Sequence, residues 1–228
     1  MGRVDLRWGF EHRQEGMNAR DHWETVYRST APEAVSWYQA HLEISLDLIR
    51  RAATGLSSSI IDVGGGESTL VDDLIAHGFQ NVAVLDISPT ALDLTRKRIG
   101  STADRISWIA ADVTSMSLPR HSIDIWHDRA TFHFLISAEQ RAAYVRNLLH
   151  CIRPGGNVII GAFGPEGPER CSGLPVVRYD SEGLQRELGP CFLLMENKEE
   201  VHLTPAGSAQ QFIYCRFGLE PMRVLRKG

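Results

Sequence analysis

The stretch Ile60-Ile61-Asp62-Val63-Gly64-Gly65-Gly66-Glu67-Ser68 decides the fold. Its first half, with Ser59, is a short apolar and β-branched run that stops at three consecutive glycines. A strand buried on both faces of a parallel sheet reads this way. Beyond it the hydrophobic period alternates. Ser68–His77 reads as a helix stopped by Gly78, Val82–Leu85 as a strand, and Pro89–Ile99 as a helix capped by Ser88. Ile106–Ala110 and Ile123–His127 read as strands, Ala138–Cys151 as a long helix ended by Pro154-Gly155-Gly156, and Val158–Ala162 as a fifth strand. This alternation predicts one α/β domain with a parallel sheet and helices on both faces.

The flanks differ. From Asp21 to Thr54 apolar residues recur at helical spacing, with Thr30-Ala31-Pro32 dividing a short helix from a longer one that includes Val35, Tyr38 and Leu42. Residues 1–57 are expected to form an N-terminal extension and helical cap, with Met17 an alternative start. Residues 58–228 are expected to form the main part of the same structural domain. Gly164–Tyr179 is rich in glycine, proline and charge and is longer than an ordinary connection. Ser181–Leu188 then reads as a helix, and Phe192–Glu196 with Phe212–Phe217 as a closing strand pair.

Composition narrows the function classes. The 228 residues hold 24 Lys plus Arg against 28 Asp plus Glu, a net charge of −4, with 43% hydrophobic and 23% charged residues. Those values suit a globular protein and exclude disorder, and the acidic balance gives no general attraction to nucleic acid. No run approaches the ~18 apolar residues of a membrane span. Cys151, Cys171, Cys191 and Cys215 are too far apart for a disulfide scaffold or a zinc ribbon, so no metal site is expected and a reducing cytoplasm is the default. A monomer or homodimer is expected.

The glycine loop either brings backbone close to a ligand at the strand's carboxyl end or makes a tight strand-to-helix turn. Asp86 ends the second strand in Val84-Leu85-Asp86-Ile87-Ser88, where an acid accepts from ribose hydroxyls; the alternative is a helix cap, a task Ser88 fits better. Asp112, after the third strand in Ala110-Ala111-Asp112-Val113, is placed either to accept from an adenine amino group or to sit in a solvated turn. A dinucleotide fingerprint would continue Gly-x-Gly-x-x-Gly, but here Thr69 fills the last position and Glu67 follows the glycines. A nucleoside without phosphates suits this loop better.

Asp62-Val63-Gly64-Gly65-Gly66, Asp86, Asp112-Val113 and Leu149-x4-Pro154-Gly155-Gly156 together resemble a class I S-adenosylmethionine-dependent methyltransferase over about residues 58–163. The resemblance implies a Rossmann-like seven-strand sheet, mostly parallel with an antiparallel last strand. It implies S-adenosyl-L-methionine as cofactor, held by Asp62, Gly64, Gly65, Gly66, Asp86, Ile87, Asp112 and Val113. Residues 58–228 are then the cofactor-binding methyltransferase domain.

Acceptor chemistry is expected on three segments. Trp126-His127-Asp128-Arg129-Ala130-Thr131-Phe132-His133-Phe134 offers His127, Asp128 and His133 as a general base. The alternative is an Asp128–Arg129 ion pair with His133 packed in a helix. Trp23, Tyr27, Trp37 and Tyr38 are either core or a lid over the ligand. The long loop brings Arg170 and Arg178, which with Arg129 suit an anionic substrate.

The run His22-Trp23-Glu24-x2-Tyr27, the Trp37-Tyr38 pair and the fourth-strand segment also resemble lysine methyltransferases of translation elongation factors. Those carry Asp-Lys-Gly-Thr-Phe/Leu-Asp where this chain has Asp128-Arg129-Ala130-Thr131-Phe132-His133. Replacing the second acid with His133 favours a small-molecule acceptor bearing an acid, phenol, amine or thiol. A protein lysine acceptor and a non-catalytic cofactor sensor are the alternatives. Cys171 raises metalloid methylation, which needs several cooperating thiols; buried inert thiols fit the spacing better.

Overall fold

The computed structural model describes residues 18–220; the expectations for residues 1–16 and for Met17 lie outside it. Strands β1 (Ser59–Val63), β2 (Asn81–Asp86), β3 (Ser107–Ala110), β4 (Ile123–Arg129), β5 (Ile152–Phe163), β8 (Phe192–Leu203) and β9 (Ala209–Leu219) form one sheet in the order β3-β2-β1-β4-β5-β9-β8. In this sheet β9 runs antiparallel to both β5 and β8, and the other six strands share one direction. This is the Rossmann-like seven-strand arrangement the resemblance implied.

Both faces are covered because the strands are apolar on both sides. Ile61 and Val63 pack with Tyr144 and Leu148 of α5 (Ala138–Cys151) and with Leu184 of α6 (Ser181–Leu188). Ile60 packs on the other face with Leu48 of α2 (Glu43–Ala52), Leu74 of α3 (Leu70–Ala76) and Leu92 of α4 (Pro89–Ile99). Ile60, Ile61 and Val63 are fully buried, each worth about 1.5–3 kcal/mol of transfer free energy. The caps follow the sequence: Ser88 Oγ accepts from Ala91 N with Pro89 at the first helical position, and Ser137 and Gln140 form a capping box on α5.

The chain departs from expectation at the N-terminal cap. The first helix α1 spans Ala19–Ser29, but a single 3₁₀ turn (Pro32–Ala34) follows, and α2 starts only at Glu43. Residues 35–42, predicted helical, are irregular because tertiary donors take their carbonyls. His202 Nε2 reaches Ser36 O (2.8 Å), Arg129 Nη1 donates to Trp37 O (2.9 Å), and Thr69 Oγ1 donates to Gln39 O (2.8 Å). The closing strands are longer than predicted, and the 164–179 loop contains a small hairpin of β6 (Arg170–Cys171) and β7 (Leu174–Pro175).

Strand order reverses between β1 and β4, and both end at the same edge, with Val63 beside Asp128. Ligands of open α/β sheets lodge in the crevice outside this reversal. Helix α1 and the β6–β7 hairpin stand over that edge.

Candidate active site

The glycine loop is shaped by the chain's own groups. Gly64 has φ +68°, and the amides of Gly64 and Gly65 both donate to Leu85 O (2.7 and 3.1 Å), pinning the loop to the end of β2. A Cβ on Gly64 would lie 1.7 Å from Thr131 Oγ1; on Gly66 it would lie 2.7 Å from Asp86 Oδ2 and 3.0 Å from Tyr27 Oη. The close approach expected of a ligand is thus first an approach of Thr131, Asp86 and Tyr27 to backbone.

Asp86, Ile87, Asp112 and Val113 share with Gly64 the wall of an open cavity of about 970 Å³. Asp86 is buried, and its Oδ1 accepts from Ser88 N at 2.8 Å. Burial, partly offset by backbone donors, raises its pKa to about 7. Asp112 Oδ1 accepts from Thr114 N and Oγ1 at 2.7 and 2.6 Å. An adjoining space of about 450 Å³ touches Asp62, Gly65, Glu67 and Tyr38. Asp62 Oδ2 and both oxygens of Glu67 are buried without a partner, and burial lifts Glu67 to about 7.

His127 and Asp128 at the end of β4, and His133 beyond it, are buried. His127 is fully buried, with Nδ1 donating to Asp62 Oδ1 at 2.7 Å and Nε2 2.9 Å from Ser45 Oγ. Asp128 accepts from Thr131 N, Phe132 N and Tyr144 Oη, and Tyr144 Oη accepts from Trp126 Nε1. It braces the turn after β4. His133 is buried against Phe134 and Phe163, its Nδ1 accepts from Phe163 N, and burial lowers its pKa to about 3, so the ring is neutral. None of the three lines either space. β4 is buried on both faces, and the three candidate bases, with His133 in the 3₁₀ turn (Phe132–Phe134) beyond it, have their side chains inside the protein.

Arg129 lines both spaces, while Trp23, Tyr27, Trp37 and Phe134 line the larger one. Trp23 meets Phe134 and Trp37 edge-on at centroid distances of 5.0 and 5.8 Å. The Asp128–Arg129 pair weighed as the alternative is absent among the described bonds: Arg129 Nε donates to Tyr214 Oη instead. Arg170 is exposed and donates to Gly173 O within its hairpin, while exposed Arg178 bonds Gly167 O and Glu169. Neither reaches the cavity. The same hairpin brings Cys171 and Leu174 to it.

Glu24 carried no signal as an anchor. Its carboxylate accepts from Ser88 Oγ (2.6 Å), Thr90 N (3.0 Å) and Thr90 Oγ1 (2.6 Å), tying α1 to the Asp86 loop. These bonds and Arg28 outweigh the effect of burial and hold its pKa near 2. Ser45 likewise has no sequence signature; only the fold sets it against His127.

Residues 60–156 match the family described as a methyltransferase domain. The eEF1A lysine and N-terminal methyltransferase of Bos taurus is 27% identical over 120 residues, covering 53% of this chain; the chain spans 17% of that relative's length. A structure solved in connection with conversion of a disulfide bond into a thioacetal group during echinomycin biosynthesis superposes with a TM-score of 0.72 at 16% identity, covering 91% of this chain and 94% of the other. The Burkholderia thailandensis 1,6-didemethyltoxoflavin-N1-methyltransferase, solved with 1,6-didemethyltoxoflavin and S-adenosylhomocysteine, gives 0.67 at 17% identity, covering 88% and 87%. The fold is that of the S-adenosylmethionine-dependent methyltransferases.

Proposed function

We propose that the chain is an S-adenosyl-L-methionine-dependent methyltransferase acting on a small molecule. The observation that carries the reading is the convergence on one cavity of the glycine loop, the strand-end acids Asp86 and Asp112, and an aromatic wall from α1 and residues 35–42. The residues fit the cofactor. Partnerless Asp62 Oδ2 suits an α-ammonium group, Asp86 suits a ribose diol, and Asp112 with Ile87 and Val113 suits an adenine. When bound, S-adenosylmethionine supplies a methyl group on a sulfonium, an electrophile that a nucleophile displaces in line.

This chain's part is alignment and exclusion of water. Thr131 and Gly64 set the floor, Trp23, Trp37 and Phe134 exclude solvent, and Arg129 sets the local charge. With His127, Asp128 and His133 held inside the protein, none of the three reaches the acceptor as a base. Four free thiols suit a reducing compartment, the cytoplasm.

Similarity to the elongation-factor enzyme favours protein lysine as a second reading. Radiolabelled methyl transfer into deproteinised metabolite extract and into protein lysate separates the two. Label in metabolites supports the small-molecule reading, and label in protein alone overturns it.

A further inference from the structure

Arg129 is a buried cation whose guanidinium is only partly used. The residue is 9% exposed. Nε donates to Tyr214 Oη at 2.8 Å, Nη1 donates to Trp37 O at 2.9 Å, and Cζ lies 4.6 Å from the centre of the Phe212 ring. Nη2 is buried without any partner. The acid in this network, Glu200, stands behind Tyr214 and accepts from its hydroxyl at 2.9 Å. Leaving a buried cation's donor unmatched is costly to folding, so an arrangement of this kind points to a ligand.

The direction of the side chain identifies which ligand. The residues suited to the nucleoside stand at the ends of β1, β2 and β3. Arg129 borders the smaller space beside Asp62 and Gly65 with one side, and with the other packs over Phe212 and bonds Tyr214 of β9, two strands beyond β4. That end of the cavity is walled by Trp37, Phe134, Cys171 and Leu174. An ammonium group placed there would face a fixed cation among apolar walls. An anion would gain a charge-assisted hydrogen bond in a poorly hydrated setting. One free donor group matches a carboxylate, whereas a phosphate dianion calls for more donors than the single Nη2 supplies.

Building on the cofactor reading above, we propose that Arg129 Nη2 is the anchor for a carboxylate on the acceptor molecule, making the enzyme selective for small carboxylic acids with an apolar or aromatic body. Isothermal calorimetry tests this on the full chain saturated with S-adenosylhomocysteine. Benzoate and hexanoate are the probes, with benzamide and hexylamine as uncharged and cationic controls. The wild type binds the two acids and neither control. Arg129→Gln weakens acid binding by at least about tenfold while leaving S-adenosylhomocysteine affinity unchanged, and Arg129→Lys restores part of it.

Equal binding of acids and controls by the wild type overturns the proposal without any variant, as does binding of none of them. It is also overturned if Arg129→Gln weakens S-adenosylhomocysteine but not 5′-methylthioadenosine, which lacks the amino-acid end; Arg129 then serves the cofactor's own carboxylate. Failure of the wild type to bind S-adenosylhomocysteine defeats the cofactor reading instead, so the two failures are distinguishable.

Discussion

Buried carboxylates give this site its pH dependence. Burial raises Asp86 and Glu67 to about 7 and Asp128 to about 6. A carboxyl group whose folded pKa lies above its unfolded value stabilises fully below the unfolded pKa and ceases to as pH rises through the folded one. These three carboxyls are therefore expected to lose their stabilising contribution between about pH 4 and 7. His133 opposes them, because its folded pKa of about 3 adds stability as pH rises towards 6.5. Urea titrations of wild type and His133→Ala across that range would separate the two. On the proposed reading ribose hydroxyls would donate to the ionised form of Asp86, so S-adenosylhomocysteine affinity should rise towards pH 7–8. Asp86→Asn should weaken it by about 10–100-fold and flatten the pH profile, as calorimetry at several pH values would register.

His133→Ala should cost about 2–4 kcal/mol of unfolding free energy with turnover per folded molecule unchanged; a turnover loss with intact stability would return His133 to the chemistry. Asp86 and Asp112 were legible as residues of the cavity wall because each comes at or just after the end of a short apolar strand. The burial of His127 and Asp128 was not, because on a strand buried on both faces alternation cannot tell a side chain facing the cavity from one bonded to Asp62 or Tyr144. His133 lies beyond β4 in a 3₁₀ turn (Phe132–Phe134), where its bond to the Phe163 amide is set only by the fold.

Single elements place the site through a few local devices. The turn after β4 runs through Ala130 at φ +65°, a left-handed conformation costing a residue with a Cβ roughly 1 kcal/mol. The elongation-factor enzymes that this segment resembles have glycine there. Ala130→Gly should raise unfolding stability by about 0.5–1 kcal/mol, seen as a higher denaturant midpoint with the same slope. Helix α1 is tied to the Asp86 loop by Glu24, whose folded pKa near 2 lies below its ordinary value of 4.5. That contribution is present above about pH 4.5 and is lost as pH falls towards 2. Glu24→Ala should accelerate amide exchange across Ala19–Ser29 at neutral pH while leaving β1 and β4 protected.

The strand–helix alternation from β1 to β5 was readable because each period is local. Residues 35–42 were not, since their apolar spacing suits a helix and only the folded neighbours His202, Arg129 and Thr69 supply competing donors. The outer half of β8, Asn197–Leu203, hid for a similar reason. It is a largely exposed edge strand with charged residues, so it carries little apolar alternation of its own and is held by pairing with Ala209–Cys215 across a short turn.

At the scale of the whole molecule, one cavity between the sheet's carboxyl edge, α1 and the β6–β7 hairpin accounts for the glycines, the strand-end acids, the aromatic cluster and Arg129. Asp86 and Asp112 line the strand-end side of this cavity, and the buried cation Arg129 lines it as well. The most direct test is calorimetric titration of the full chain with S-adenosylhomocysteine and, separately, with NAD. One-to-one binding of S-adenosylhomocysteine that is lost in Asp86→Ala, with no NAD binding, is the predicted result. Binding of NAD without S-adenosylhomocysteine, or of S-adenosylhomocysteine indifferent to Asp86, would contradict the account.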